Sequence, residues 1–367
     1  MTSEYVPRYG GEKPCKAGQD SMKMEYPFKS PAQEISRSLG ARAGTWLESA
    51  KVSMRRARQR NTIKVEPLRA WPTRPSEIAA VCLSRNEVAT LPEFLKHYRR
   101  LGVTRFIFLD DASTDGTREL LLAENDVDVW TSPVRYVDAK RGKLWREALF
   151  NEYGLDRWYL NVDADEFLFY DGCGGHSLFD VVEVLNKSGI KRLPAPMIDI
   201  YHSDDGAAVG GDPWKAPHLF DAAGYTAELT KRGISIKGGP RRRIFGEKNE
   251  LMKYPLIYWD EACSLGVSIH QPLPYTRNFS PIWGALLHFK FFGDYGTKIE
   301  AAVADGQHFN GSMHYRAIAE ALRKYGKIDF VFEHTTRFQG PNQLRELGLI
   351  SPIDYQGHRI STKAALL

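Results

Sequence analysis

Between Ile78 and Val162 the chain alternates short apolar runs with amphipathic segments, and this alternation restricts the fold more than any other feature. Ile78-Ala-Ala-Val-Cys-Leu83, Thr104-Arg-Phe-Ile-Phe-Leu109, Val127-Asp-Val-Trp130 and Trp158-Tyr-Leu-Asn-Val162 are short and bounded by polar residues, as buried strands are. Between them, Leu91, Phe94, Leu95, Tyr98 and Leu101 share one face of a helix that Gly102 stops. Ala112-Ser-Thr-Asp-Gly116 is turn chemistry ahead of a helix from Thr117 to about Glu124, and Gly142 to Tyr153 forms the next. Strand following helix at this pace implies right-handed crossovers and an α/β fold, with a mainly parallel central sheet flanked by helices. A further strand is expected over Ile190 to Ile200, with helices from Gly296 to Val303 and from Met313 to Tyr325 covering the site.

In such sheets ligands bind at the carboxyl ends of the strands. Those ends carry Arg85-Asn86-Glu87, Asp110-Asp111 and Asp163-Ala164-Asp165-Glu166, so three polar clusters arrive at one rim. Asp163 and Asp165 are two apart and leave the same face if both are extended. Carboxylates so placed repel each other unless a cation joins them, and a hard divalent ion, Mn²⁺ or Mg²⁺, is the simplest cation for the task. No G-x-G-x-x-G follows the first strand and no G-x-x-x-x-G-K-[ST] occurs, which weighs against a dinucleotide dehydrogenase and a P-loop NTPase.

Charge divides the chain further. The 367 residues carry a formal +5, yet Arg37 to Arg74 holds ten basic residues and two acids, leaving the remainder slightly acidic. The organisation expected is a flexible arm over 1–36, a basic and partly helical leader over 37–75, a main domain over 76–330 and a tail over 331–367. In the leader, Trp46, Leu47, Ala50, Met54 and Ala57 recur at helical spacing among arginines. Such a helix either lies on an anionic membrane surface or packs its apolar stripe on the main domain. No aromatic-interleaved basic surface follows, so nucleic acid is not an expected partner. Cys15, Cys82, Cys173 and Cys263 form no C-x-x-C pair, and neither a secretory signal nor a transmembrane run is present. The expected location is the cytoplasm, with peripheral contact at the inner face of the membrane through the leader.

Four motifs in order carry a resemblance to a known family. They are Val81-Cys-Leu-Ser-Arg-Asn-Glu87, Leu91-Pro-Glu-Phe-Leu-Lys-His-Tyr98, Leu109-Asp-Asp-Ala-Ser-Thr-Asp-Gly-Thr117 and Asp163-Ala-Asp-Glu-Phe-Leu168. Together they resemble the family-2-like glycosyltransferases of GT-A fold, in the bacterial branch whose metal motif reads D-x-D-E-F, over roughly residues 76 to 300. The resemblance implies that Asp110 or Asp111 accepts a hydrogen bond from the base or ribose of a nucleotide-diphosphate sugar, UDP by family habit. Arg85 and Glu87 would line the same pocket, Asn86 would either join them or brace the loop, and Lys140, Arg141 and Lys143 would border the diphosphate. Asp163 and Ala164 would face the donor, Asp163 and Asp165 would bind the metal, and Glu166 would orient the loop or a metal-bound water. A late histidine completing the metal shell would be His288 in Leu286-Leu-His288-Phe-Lys290, ahead of His270. Lys237-Gly-Gly-Pro-Arg-Arg-Arg243, near Lys253, would clamp phosphate or an acidic acceptor.

The function implied is metal-dependent transfer of a sugar, with inversion, to an acceptor hydroxyl on a glycan or a lipid-linked glycan, in polysaccharide or glycoconjugate synthesis. A carboxylate must take the acceptor proton. Asp199 is the first candidate because it closes a strand at the rim, with Asp205 and Asp212 as alternatives. Two rival readings remain: a nucleotidyltransferase, which lacks here the expected glycine- and lysine-rich loop after its first strand, and a catalytically degenerate nucleotide- or sugar-binding module.

Overall fold

Every strand and helix expected between Ile78 and Val162 forms, and the strands lie side by side in one sheet. The structure is a computed structural model that describes residues 22–29, 35, 37–57, 63–72, 74, 76–203, 213–293, 295–307, 309–326 and 328–356. The first half runs β1 (Met22–Met24), α1 (Leu39–Ala57), β2 (Glu66–Arg69), β3 (Ala79–Ser84), α2 (Leu91–Arg100), β4 (Arg105–Asp110), α3 (Thr117–Ala123), β5 (Val127–Thr131), α4 (Lys143–Tyr153) and β6 (Arg157–Asp163). It continues with β7 (Glu166–Phe169), α5 (Leu178–Lys187), β8 (Arg192–Tyr201), β9 (Leu219–Asp221), β10 (Tyr225–Thr230), β11 (Gly233–Gly238) and α6 (Gly239–Phe245). The last elements are β12 (Met252–Trp259), β13 (Ala285–His288), α7 (Tyr295–Asp305), α8 (Phe309–Tyr325), β14 (Thr335–Arg337) and α9 (Pro341–Glu346).

Strands β6, β3, β4 and β5 are parallel neighbours and form the centre of the sheet. The chain is thus an α/β protein whose central sheet is parallel and flanked by helices. Successive residues of a strand face opposite sides, and both sides are buried here, which is why the runs are apolar throughout. Ala80, Cys82, Phe106 and Phe108 pack with Phe94, Leu95 and Tyr98 of α2, Leu121 of α3 and Val181 of α5. Ala79, Val81, Ile107 and Leu109 pack on the other face with Trp145, Leu149 and Phe150 of α4. Beyond β6 the sheet changes character. Strand β12 runs antiparallel between β6 and β8, while β13 lies parallel to β8 and antiparallel to β7.

The flanking segments join the body. Strand β2 of the basic leader pairs with β5 at the sheet edge, and β14 of the tail pairs with β9, so the sheet extends past both 76 and 330. From the expected arm, β1 pairs with β10 in a separate three-stranded sheet, and the buried Tyr26 donates from its hydroxyl to the Leu349 carbonyl at 3.0 Å. Among the described residues no helix is long and apolar enough to cross a membrane.

The approach to α4 is strained. Lys140, Arg141 and Gly142 have φ of 54°, 57° and 72°, three consecutive residues in the left-handed region. That conformation costs a residue other than glycine about 1 kcal/mol or more. The glycine at 142 is required twice over, since a Cβ there would come within 2.1 Å of Leu83 Cδ1 on β3. Gly142→Ala is therefore expected to lower stability by about 2 kcal/mol in urea unfolding, while an alanine at Gly154, where nothing lies within 4 Å, costs only its φ strain.

Candidate functional site

Strand register builds the centre of the site. Strand β6 ends at Asp163, the chain turns through Ala164 and Asp165, and β7 begins at Glu166. Strand β13 lies between β7 and β8 with His288 opposite both Glu166 and Asp199. Residues directly opposite project from the same face, so an acid, a histidine and an acid stand in a row across three strands. His288 Nδ1 is 2.6 Å from Asp199 Oδ1, and His288 Nε2 is 3.3 Å from Asp165 Oδ2. One ligand atom from each of Asp165, Glu166 and His288 lies within 4.8 Å of the other two, close enough to share one cation.

Four carboxylates meet here, and four cationic groups answer them. Lys253 Nζ, on β12, donates to Asp163 Oδ2 at 2.6 Å and also to Glu166 Oε1. Arg146, buried on α4, bonds Asp163 Oδ1, and its Nη1 reaches Asn161 Oδ1 at 2.6 Å and the carbonyls of Val81 and Val162 at 3.1 Å. Arg241, buried on α6, donates from Nε to Asp199 Oδ2 at 2.7 Å. His288 is the fourth cation. Burial alone would lower its pKa, but Asp165 and Asp199 raise it to about 9. Burial alone would raise Asp165, and His288 instead holds it at about 2. Asp163 is held below the usual carboxylate range by Lys253 and Arg146 against its burial, and Asp199 by Arg241 and His288 against its own. Glu166 is raised, because burial outweighs Lys253.

The other rim residues divide into outward and inward groups. Asp110 is buried and braces the turn before α3, accepting from Arg118 Nε at 2.8 Å and from the Ser113 amide at 3.3 Å. Asp111 faces the rim, with Arg85 Nη1 2.6 Å from its carbonyl and Arg135 Nε 3.7 Å from its Oδ1. Helix α7 crosses this end of the rim. Its Asp305 pairs with Arg135 at 3.2 Å and Arg85 at 3.5 Å, and its Lys298 donates to Glu87 at 2.8 Å. Of the two roles open to Asn86 it braces the loop, accepting from the Thr114 amide at 2.8 Å. Lys140 and Arg141 are exposed on the strained turn. Lys143 Nζ instead donates to the Gly266 carbonyl at 2.8 Å, and burial with Arg56 nearby lowers its pKa to about 8.

Several assignments shift on these contacts. Asp199 is buried with each carboxylate oxygen engaged by a cationic partner, and Arg241 and His288 hold its pKa below the usual carboxylate range, which makes it a weak base for an acceptor proton. Asp205 and Asp212 lie outside the described residues. The 237–243 segment is a strand end followed by a helix rather than an open clamp, because Arg241 holds Asp199 and Arg243 holds Asp221 at 3.1 Å. His270 engages the backbone, with Nδ1 2.9 Å from the Met252 carbonyl, and is not in the group that could share a cation. Arg146, Arg135 and Asp305 carried no sequence motif; a buried arginine at the centre of an amphipathic helix was the one available signal for Arg146.

No protein-family model matches the chain, and no curated protein matches it. Among solved structures it is similar to the crystal structure of 4-diphosphocytidyl-2C-methyl-D-erythritol synthase, at 11% identity over 74% of this chain and 98% of that one. The TM-score is 0.23, a level at which no shared fold is inferred.

Two outcomes follow from the charge pairing. Lys253→Met leaves Asp163 and Glu166 without their shared cation and is expected to cost about 3–5 kcal/mol in urea unfolding at neutral pH, with part of the loss recovered in Lys253→Met/Glu166→Gln. His288 has a folded pKa raised to about 9 from 6.5, so its contribution to stability is complete below about pH 6.5 and disappears as pH rises through about 9. In EDTA, the stability difference between wild type and His288→Gln should therefore shrink between about pH 7 and pH 10; a difference constant over that range would show that His288 is not charged in the folded protein.

Proposed function

We propose that this chain is a metal-dependent glycosyltransferase of GT-A type, moving a sugar from a nucleotide-diphosphate donor, UDP by resemblance, to an acceptor hydroxyl with inversion. The observation that carries the reading is the convergence of Asp163, Asp165, Glu166 and His288 on the rim where Arg85 and Asp111 stand. Asp165, Glu166 and His288 fit a divalent cation as a donor set: two carboxylates and one imidazole, mutually within 4.8 Å. The imidazole favours Mn²⁺ over Mg²⁺, which prefers oxygen alone. Asp163, neutralised by Lys253 and Arg146, then supports the set from behind instead of completing it. When bound, the ion would stabilise negative charge on the departing diphosphate.

The remaining roles belong to the chain. His288 must give up its proton for Nε2 to act as a ligand, and Asp199, held by Arg241, would fix the imidazole through Nδ1. Asp199 is thus proposed as a positioning residue, and the base role passes to Asp205 or Asp212. Asp111, with Arg85 and Arg135, would take the nucleoside, and Lys140 and Arg141 would face its phosphates. Next to Asp165 and His288, Phe167, Phe289, Phe292 and Trp214 pack with ring centroids 4.4–5.5 Å apart, and His202 and His218 adjoin them. Phe167, Phe289 and Phe292 are buried in the core and back the site, and a glycan or lipid-linked glycan acceptor rests on the resemblance of the four motifs.

The deciding measurement is release of nucleotide and of sugar from UDP-, GDP- and dTDP-sugars with Mn²⁺. One donor should be turned over, EDTA should stop the reaction, and Asp165→Asn should reduce it by at least about 100-fold. Asp199→Asn should reduce it by about 10–100-fold, with partial recovery at higher Mn²⁺, as a positioning role requires. Transfer of the nucleotide in place of the sugar would establish a nucleotidyltransferase, and donor binding without turnover under any acceptor would establish a binding module.

A further inference from the structure

Helix α1 is amphipathic, and it is docked with the wrong face inward. Its buried residues are Thr45, Ser49 and Val52, two of them polar. The Tyr275 amide donates to Ser49 Oγ at 3.1 Å, Val52 packs with Leu273 and Tyr275, and Glu48 beside them pairs with Arg232 at 2.7 Å. Arg56, in the last turn, pairs with Glu147 of α4 at 2.7 Å. The apolar residues point away from the body. Leu39 is 75% exposed, Trp46 62%, Leu47 60% and Met54 60%. At about 100° per residue these four, with Ala43 and Ala50, fall within an arc of about 100°, centred about 140° from the docked face. Helix α1 has 19 residues, so the stripe runs for most of about 28 Å.

Charge indicates what covers this face. Lys51 and Arg55 are exposed along one border of the stripe, Lys231 lies against α1 at Gly44 on the same side, and Arg42 is exposed on the other. Glu48, the acid within the helix, is already paired. A second copy meeting the stripe would bring these like charges together, whereas an anionic lipid surface presents phosphates to the basic borders and acyl chains to Trp46, Leu47 and Met54. We propose that α1 docks this protein in the interface of an anionic bilayer, its apolar stripe in the acyl boundary and its basic borders on the headgroups. Because Arg56 and Lys143 converge on Gly266, the docked helix is tied to the end of α4 that borders the candidate site. The proposal stands independently of the sugar-transfer reading.

The test is co-sedimentation of the full chain with vesicles of phosphatidylcholine alone and with about 30% phosphatidylglycerol. Binding is expected to the anionic vesicles, at least about tenfold stronger than to the neutral ones, and to weaken with added salt. Leu47→Glu and Met54→Glu should each lower the partition coefficient at least about tenfold, and Lys51→Glu/Arg55→Glu should remove the preference for anionic lipid. All four side chains are exposed, so an unchanged urea midpoint in each variant separates lost docking from lost folding. Failure to bind anionic vesicles, or binding untouched by Leu47→Glu, overturns the proposal. So does a dimer in light scattering that Leu47→Glu abolishes, which would assign the face to a second copy.

Discussion

The rest of the site depends on the balance of buried charge at the carboxyl end of β6. Asp163, Asp165, Glu166 and Asp199 are brought together by strand ends and register, in an environment where an unpaired ion costs several kcal/mol. The fold tolerates them because four cations in equal number, Arg146 from α4, Lys253 from β12, Arg241 from α6 and protonated His288 from β13, interleave with them. No two of these cations come from the same element. The balance therefore exists only in the assembled protein, and it leaves one adjustable member. His288 can lose its proton, and a divalent cation arriving at Asp165 and Glu166 would restore the charge it gives up. Lys253 and Arg241 stay charged in either state, because their carboxylate partners raise their pKa values against their burial.

Around this centre the rim is held less tightly. Helix α7 is anchored to the body by Ile299, which packs with Tyr201, Phe291, Ile318 and Phe330. Its contacts with the rim itself are ion pairs of partly exposed groups, Lys298 with Glu87 and Asp305 with Arg85 and Arg135. Pairs of that kind are worth about 0–1 kcal/mol each. Arg85 and Arg135, which pair with Asp305 of α7, are the residues that would take the nucleoside with Asp111 in the proposed function, so donor and helix would compete for them. The strained turn at 140–142 borders the same space, held there by Gly142 against Leu83.

Helix α1 shows how local and tertiary demands can diverge. Its apolar spacing is sufficient to make it helical, yet the body accepts it through the Ser49 hydroxyl, an ion pair of Glu48 with Arg232 and one apolar side chain, Val52, packed with Leu273 and Tyr275. Periodicity reports that a helix has two faces. It does not report which face the protein has room for.

The α/β class, the order of the first four helices and central strands, and the gathering of three acidic or polar clusters at one rim were all determined by the sequence. Strands buried on both sides must be apolar throughout, helices buried on one side must be periodic, and crossovers must be right-handed. These are local demands that a single chain states openly. Strands β12 and β13 escaped because strands inserted into the sheet from distant segments carry no such rhythm. With them went the partners that only tertiary structure supplies: Lys253 for Asp163 and Glu166, Arg241 for Asp199, and the place of His288 between two acids. Sequence spacing made Asp163 and Asp165 an equivalent pair. The fold made them different, because Asp163 lies within reach of two buried cations and Asp165 within reach of a histidine that can release its proton.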